Sequence, residues 1–150
     1  MSDQPVIRPM VPDDLEGILE VEHKSFSIPW TRGMFEAELT NPNAFYLVLV
    51  IAGKICGYAG LWKILDEGHI TNVAVHPDYR RTGHGRLLLD SLISHAKSCR
   101  ITALTLEVRA GNRAAISLYE SFGFRSAGRR RRYYTDNNED ALIMWLYFDL

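Results

Sequence analysis

Apolar and polar positions recur in two rhythms along this chain, and each change of rhythm marks an element. Val6 to Arg8 is a short strand candidate. From Val11 the spacing lengthens: Leu15, Ile18, Leu19 and Glu22 return at helical intervals, Pro12 takes a first-turn position, and Asp13, Asp14 and Glu16 complement the helix dipole. Phe26-Ser-Ile-Pro-Trp30 is a rigid aromatic connector, after which Thr31 can cap a second helix carrying Met34, Phe35 and Leu39 and ending near Asn41-Pro42. Strands follow. Phe45 to Ile51, the turn Ala52-Gly-Lys54 and Ile55 to Leu65 form a predicted hairpin, and Asp66-Glu-Gly68 turns the chain again before Ile70 to Val75.

The helical rhythm returns over Gly85 to Lys97, with Leu88, Leu92 and Ala96 on one stripe and Leu89 and Ile93 beside it. Ile101 to Val108 alternates as a strand, placing Leu104, Leu106 and Val108 on one face and Thr105, Glu107 and Arg109 on the other. Asn112 is placed to cap a helix bearing Ala115, Ile116, Leu118, Tyr119 and Phe122, which Gly123 stops. Two strands, Phe124 to Tyr134 and Asp140 to Phe148, close the pattern. The prediction is an α/β fold, a mixed central sheet of about seven strands with about four helices, in a single domain over residues 1–150 without repeats or linker.

Composition narrows the function classes. The chain has 150 residues, 47% hydrophobic and 23% charged, enough to bury a sizeable core, and its net charge of -1 gives no global attraction to nucleic acid or anionic membrane. No direct nucleic-acid or membrane partner is expected, and any polyanion site must be local. Cys56 and Cys99 make no disulfide framework and have no metal-ligand spacing, which predicts free core thiols in a reducing compartment and no metal. With no signal-like N-terminus and no apolar run of spanning length, the expectation is a cytoplasmic protein.

One stretch carries candidate chemistry by its context. Asn72-Val-Ala-Val75 leads from a strand through His76-Pro-Asp-Tyr-Arg80-Arg-Thr-Gly83-His-Gly85-Arg86 into a helix. Glycines let the backbone turn and present N–H groups, the helix start adds its unpaired amides and positive dipole end, and the arginines bring counter-charge. That combination points to a phosphate ligand. The loop lacks the Gly-Lys-Ser/Thr of a Walker motif and the third glycine of the dinucleotide fingerprint, which favours a pyrophosphate that is not hydrolysed. Glu107 is a mid-strand carboxylate opposite the apolar face and Tyr119 lies on the next helix; each has an ordinary structural reading, an ion-paired strand residue and a core aromatic. Together with the loop they suggest a base, a phenolic donor and a phosphate-bearing cofactor on adjacent elements.

These residues resemble a known family. Arg80-x-x-Gly83-x-Gly85 after a strand, followed by Leu106-Glu-Val-Arg-Ala110, Asn112 and Ala115-Ile-Ser-Leu-Tyr119-Glu-Ser-Phe-Gly-Phe124, is similar to the GNAT N-acetyltransferases. Phe26 to Trp30, Arg132-Tyr-Tyr134, Asn138-Glu-Asp-Ala141 and Ile143-Met144 extend the resemblance to the family's RimI-like branch, which acetylates the N-terminal alanine of a ribosomal protein. The resemblance implies a GNAT fold and acetyl-CoA as cosubstrate, with a peptide N-terminus of a ribosomal protein as partner; the alternatives are other protein N-termini, a lysine or a small amine as acceptor, or a non-catalytic CoA- or ribosome-binding module. It implies backbone contacts to the cofactor from Val73, Ala74 and Val75, a pyrophosphate site from Arg81, Thr82, Gly83, His84, Gly85 and Arg86, and a cofactor contact from Asn112. It casts Glu107 as general base and Tyr119 as general acid. The family's loop often has glutamine at the position of Arg80 and an apolar residue at that of His84.

Direct transfer to an amine needs that amine neutral. An α-amine titrates near 7.7–8.0 and a lysine near 10.4, a gap of roughly 3.5 kcal/mol in the cost of deprotonation, which favours an α-amine acceptor. A carboxylate near pKa 4.3 is a weak base, so Glu107 is expected to work through water or with a raised pKa, and a phenol near 10 serves a thiolate better as hydrogen-bond donor than as acid. His69 and His76 flank the cofactor strand as lesser candidates for the base, while His23 and His95 are predicted on helix surfaces. Cys56 and Cys99 show no activating partner. The run Arg125, Arg129 to Arg132 is expected to be solvated and paired with Asp136, Glu139 and Asp140, and the acidic first helix, Asp13, Asp14, Glu16, Glu20 and Glu22, to be a solvated face. Phe26 to Trp30 and Tyr133-Tyr134 are the expected walls of the acceptor groove.

Overall fold

The computed structural model describes residues 4–80 and 82–148. Strand β1 (Val6–Pro9) is followed by a short 3-10 turn (Pro12–Asp14) that runs into α1 (Leu15–Ser25) and then α2 (Arg32–Thr40). Next come β2 (Ala44–Ile51), β3 (Lys54–Ile64) and β4 (Glu67–Val75), a 3-10 turn (Pro77–Tyr79), α3 (His84–Ser98), β5 (Ala103–Arg109), α4 (Arg113–Ser121), β6 (Arg125–Tyr134) and β7 (Glu139–Tyr147). The two expected caps are in place: Thr31 Oγ1 accepts from the Met34 amide at 3.3 Å and Asn112 Oδ1 from the Ala115 amide at 3.2 Å. The β2–β3 turn places Ala52 and Gly53 at φ of 50° and 77°, the positive values that a tight hairpin requires.

One seven-stranded sheet, in the order β1-β2-β3-β4-β5-β7-β6, forms the middle layer. Its faces are covered by different helices. Leu88, Leu89, Leu92 and Ile93 of α3 and Tyr119 of α4 pack on one face with Leu104, Leu106 and Val108, whereas Leu15, Ile18 and Val21 of α1 and Phe35 of α2 pack on the other with Val48 and Tyr58. All neighbouring strands are antiparallel except β4 and β5, whose parallel join uses α3 as its crossover.

That parallel join is the feature that makes a site. β4 and β5 pair only from Glu67 to His69 against Ala103 to Thr105, although the strands continue to Val75 and Arg109. Beyond His69 they part and leave a gap through the sheet. A bulge lies at the same point: Leu61 pairs with Ile70 and Gly60 with Asn72, so Thr71 is an extra residue in β4. The extra residue reverses the strand's parity, which is why Ile70 and Val73 both pack on the α3 side although they are three apart.

Candidate active site

Where β4 leaves β5, its backbone loses one set of partners. His76 donates its N–H to Cys56 O at 2.8 Å, and antiparallel alternation from that bond turns the N–H and C=O groups of Val73 and Val75 away from β3, toward the gap. Arg80 Nε satisfies the Val75 carbonyl at 2.8 Å. A cavity of about 580 Å³ fills the gap, lined from β4 by His69 to Val73, from β5 by Leu106 to Arg109, and from α4 and its cap by Asn112, Ala115 and Tyr119. Of the predicted β4 contacts, Val73 and Val75 therefore present backbone to the gap, whereas alternation turns the peptide groups of Ala74 toward β3.

Glu107 occupies the narrow end. Its Oε2 is 2.7 Å from His69 Nε2, and Arg130 Nε is 3.7 Å from Oε1. The hydrogen bond from His69 is the largest influence and holds the carboxyl below its usual range, against the opposing effect of burial. The expectation of a raised pKa is corrected: the imidazole and guanidinium favour the charged form more than half-burial disfavours it. The ion pair expected of a strand carboxylate is made with residues of other strands, His69 of β4 and Arg130 of β6, and not with Arg109, which is held by Asp136 at 2.9 Å and Glu139 at 3.3 Å. His69, a lesser candidate by sequence, is thus a direct partner of the leading one, while His76 is a buried loop residue whose Nδ1 accepts from the Asp78 amide.

Tyr119 reaches the same cavity from α4. Its ring is buried edge-on against Phe124 with centroids 5.6 Å apart. Among the described residues its hydroxyl has no hydrogen-bond partner, and burial pushes it above the usual phenol range, so it stays protonated and available as a donor at neutral pH.

The described residues of the loop from β4 to α3 turn tightly into the helix. Gly83, at φ +85°, precedes α3 in a left-handed conformation with open space around its missing Cβ. The first turn of α3 leaves its leading amides without helical partners. His84, whose role the sequence left open, ties the loop: Nδ1 is 2.9 Å from Tyr79 O and 2.6 Å from Thr82 Oγ1, which itself donates to Tyr79 O. Arg80 NH2 donates to Ser25 Oγ, and Arg86 reaches α4, donating to Ser121 Oγ at 2.8 Å over the Phe122 ring. Arg81 lies outside the described residues. The gap, its inward backbone groups and the loop at one end fit an elongated pyrophosphate-bearing molecule such as acetyl-CoA.

Phe26, Ile28 and Trp30 of the α1–α2 connector and Tyr133 and Tyr134 of β6 also line the cavity. Ser27 Oγ donates to Asp136, joining the α1–α2 connector to the β6–β7 turn. Behind the connector sits a residue the sequence reading misplaced. Glu22 is 1% exposed; it accepts from Tyr58 OH and, at 2.8 Å, from the Trp30 amide, and burial raises its pKa. Asn72 Nδ2 in turn donates to Tyr58 OH at 3.0 Å, so the bulged strand and the connector share one network. The solvated acidic face is corrected for two of its members, Glu22 and Asp14, the latter buried against Arg8 at 2.8 Å. Glu22 falls on the Leu15, Ile18 stripe, and that was the available signal.

Other expectations resolve outside the cavity. His95 stacks on Phe45 with centroids 3.4 Å apart and lies 3.3 Å from Cys99 Sγ, so it is not a free helix-surface residue and Cys99 does have an imidazole neighbour. Cys56 is buried and donates to Lys54 O. In the exposed edge strand β6, Arg129 pairs with Asp140 at 3.0 Å and Arg130 approaches Glu107. No group of three or more metal-ligating side chains occurs among the described residues, and no helix among them is long and apolar enough to cross a membrane.

Residues 15–124 match the acetyltransferase (GNAT) family. The [ribosomal protein bS18]-alanine N-acetyltransferase of Escherichia coli K12 is 42% identical over 137 residues, covering 89% of this chain and 90% of that protein. The crystal structure of the ribosomal-protein-S18-alanine N-acetyltransferase from Escherichia coli superposes with a TM-score of 0.91 at 38% identity, over 98% of this chain and 96% of that one. Ard1 from Thermoplasma volcanium superposes at 0.90 with 26% identity, over 97% and 99%.

Proposed function

Because the chain belongs to the GNAT acetyltransferase family, we propose that it transfers the acetyl group of acetyl-CoA to the α-amine of the N-terminal alanine of ribosomal protein bS18. The observation that carries the chemistry is the meeting of the Glu107–His69 pair and the Tyr119 hydroxyl in the gap between β4 and β5. The acceptor is supported by the names of relatives that align over nearly the whole chain. One sheet carries both halves of the site, so the chain is read as a single domain of this family. A cytoplasmic site of action belongs to the same reading.

Acetyl-CoA supplies an acetyl group activated as a thioester. The Val73 and Val75 backbone groups and the Gly83–Gly85 cradle with Thr82 and His84 hold it, Arg81, Arg86 and Asn112 being further contacts in this reading. The neutral α-amine attacks the acetyl carbon; a C–N bond forms, the C–S bond breaks, and the amine proton passes to Glu107. Held below its usual range, that carboxylate is a poor final resting place for a proton. It therefore passes the proton on to solvent, and the hydrogen bond from His69 restores its charged form. Tyr119 donates a hydrogen bond to the departing thiolate, which a phenol does without full proton transfer.

The test is mass spectrometry of a peptide panel incubated with acetyl-CoA, comparing a free N-terminal alanine peptide with the same sequence blocked at its N-terminus and carrying lysine. Acetylation of the free α-amine alone is expected. Transfer only to lysine, or to no peptide, would overturn the proposal.

A further inference from the structure

Two carboxylates that the reaction as derived does not use are buried under the sheet, Glu22 of α1 at 1% exposure and Glu38 of α2 at 9%. Each accepts from an aromatic donor on β3, Glu22 from Tyr58 OH and Glu38 from Trp62 Nε1. Each of those aromatics then meets β4 beside the bulge at Thr71. Tyr58 OH accepts from Asn72 at 3.0 Å, and the Trp62 ring stands edge-on to the His69 imidazole, at 81° with centroids 6.2 Å apart. Tyr46 OH, 2.7 Å from Thr71 Oγ1, holds the bulged residue itself. Trp62 and His69 are direct partners in the β3–β4 register, so their side chains share one sheet face, and the bond to Glu38 places that face under α2. The chain from Glu38 runs on into the site, because His69 Nε2 lies 2.7 Å from Glu107 Oε2.

Resting on the reading that Glu107 accepts the amine proton, we propose that Glu38 and Trp62 are positioning residues for that step: the buried carboxylate fixes the indole, and the indole fixes the imidazole that serves Glu107. Donors and acceptors set the order. An ionised carboxylate only accepts, so His69 holds its proton on Nε2 and aims it at Glu107. The His69 side chain is 31% exposed, and one hydrogen bond at its tip leaves the ring free to turn about that bond. The Trp62 ring packed against it supplies the second constraint, which sets the imidazole plane. Trp62 borders the open cavity, so its own plane needs an anchor, and the indole N–H is its one directed group. Glu38 is that anchor. Leaving the buried pair unmade would cost more than a typical hydrogen bond contributes, so the indole stays where Glu38 holds it. No described residue of α2 lines the cavity, so Glu38 acts on the site from outside it.

The experiment is a double-mutant cycle in kcat for a free N-terminal alanine peptide at pH 7, with Glu38→Leu and Trp62→Phe each made in the parent and in His69→Ala. Trp62→Phe keeps a ring and removes the indole N–H, and it leaves the test standing where Glu38→Leu does not fold. His69→Ala is expected to lower kcat about tenfold and each of the other two several-fold, within the range that misplacing a reacting group costs. KM for peptide and for acetyl-CoA should stay within about twofold of the parent, since none of the three removes a substrate contact in this reading. In the His69→Ala background either substitution is expected to lower kcat by less than about twofold more, because the group it positions is gone. Glu38→Gln retains an oxygen for the indole N–H and is expected to hold kcat within about twofold of the parent. Equal losses with and without His69, a loss confined to the peptide KM, or no loss in either variant overturns the positioning role and spares the proposed activity. A parent that acetylates no peptide overturns the reading on which the role rests.

Discussion

Three side chains in the cleft make separable claims. Glu107→Gln removes the proton acceptor while retaining the shape and is expected to lower kcat on the order of a hundredfold. Tyr119→Phe removes one hydrogen bond to a developing anion and is expected to cost at least about tenfold in kcat. Both should leave acetyl-CoA affinity unaltered by calorimetry, because neither belongs to the pyrophosphate loop; turnover unchanged from the parent in both variants would remove the mechanism. Glu22 makes a claim about stability. Burial raises its pKa in the fold, so the folded protein binds more protons than the unfolded chain between the unfolded value, about 4.3, and the folded one. Its contribution is present below that window and is lost as pH rises through the folded pKa. Glu22→Gln cannot ionise, so urea unfolding should show the variant's deficit relative to the parent shrinking from pH 4.5 to pH 7. A constant deficit would mean that Glu22 does not titrate in this range.

At the scale of elements, the cradle separates two glycines that look alike in sequence. Gly83 sits at φ +85° with nothing near its missing Cβ, so Gly83→Ala meets no clash but must hold a left-handed conformation at about 1–2 kcal/mol. Gly85 lies inside α3, where an added Cβ would make ordinary contacts at 3.5 Å to Leu118 and 4.0 Å to Val75. Gly85→Ala is expected to be neutral or to stabilise by up to about 1 kcal/mol. Thermal unfolding should therefore occur at a lower temperature in Gly83→Ala and at an equal or higher one in Gly85→Ala, and Gly83→Ala should also raise the KM for acetyl-CoA. The elements themselves were legible because periodicity, caps and turn residues agree: the Thr31 and Asn112 caps and the outward face of Thr105, Glu107 and Arg109 stand where the pattern puts them. The Thr71 bulge was not legible. An extra residue in a strand shows only when the partner strand's register is known, and here that register also decides which backbone groups enter the gap.

Across the whole molecule, what escaped the sequence is long-range pairing. His69 meets Glu107 from 38 residues away and Glu22 meets Tyr58 from 36, while a one-dimensional pattern gives each carboxylate only its neighbours along an element. The same holds for the closure of the acceptor groove. Ser27 and Asp136 are 109 residues apart, yet they join the two aromatic loops, and Arg109 fixes Asp136 from below with two bonds of 3.0 and 2.9 Å while lying 4.0 Å from the Tyr134 ring centroid. The bond from Ser27 is the largest of the influences that hold the Asp136 carboxyl below its usual range, so the join persists at neutral pH. In the proposed reading these loops border the acceptor, and a bridge between them favours a chain end over a side chain projecting from a continuous backbone. Ser27→Ala removes the bridge and leaves the Arg109–Asp136 pair. It is expected to lower kcat/KM several-fold for an N-terminal alanine peptide and to raise the residual transfer to a free amine such as lysine amide, with KM for acetyl-CoA unaltered. If peptide and free amine respond in the same sense and proportion, the bridge is a stabilising contact without a part in acceptor choice.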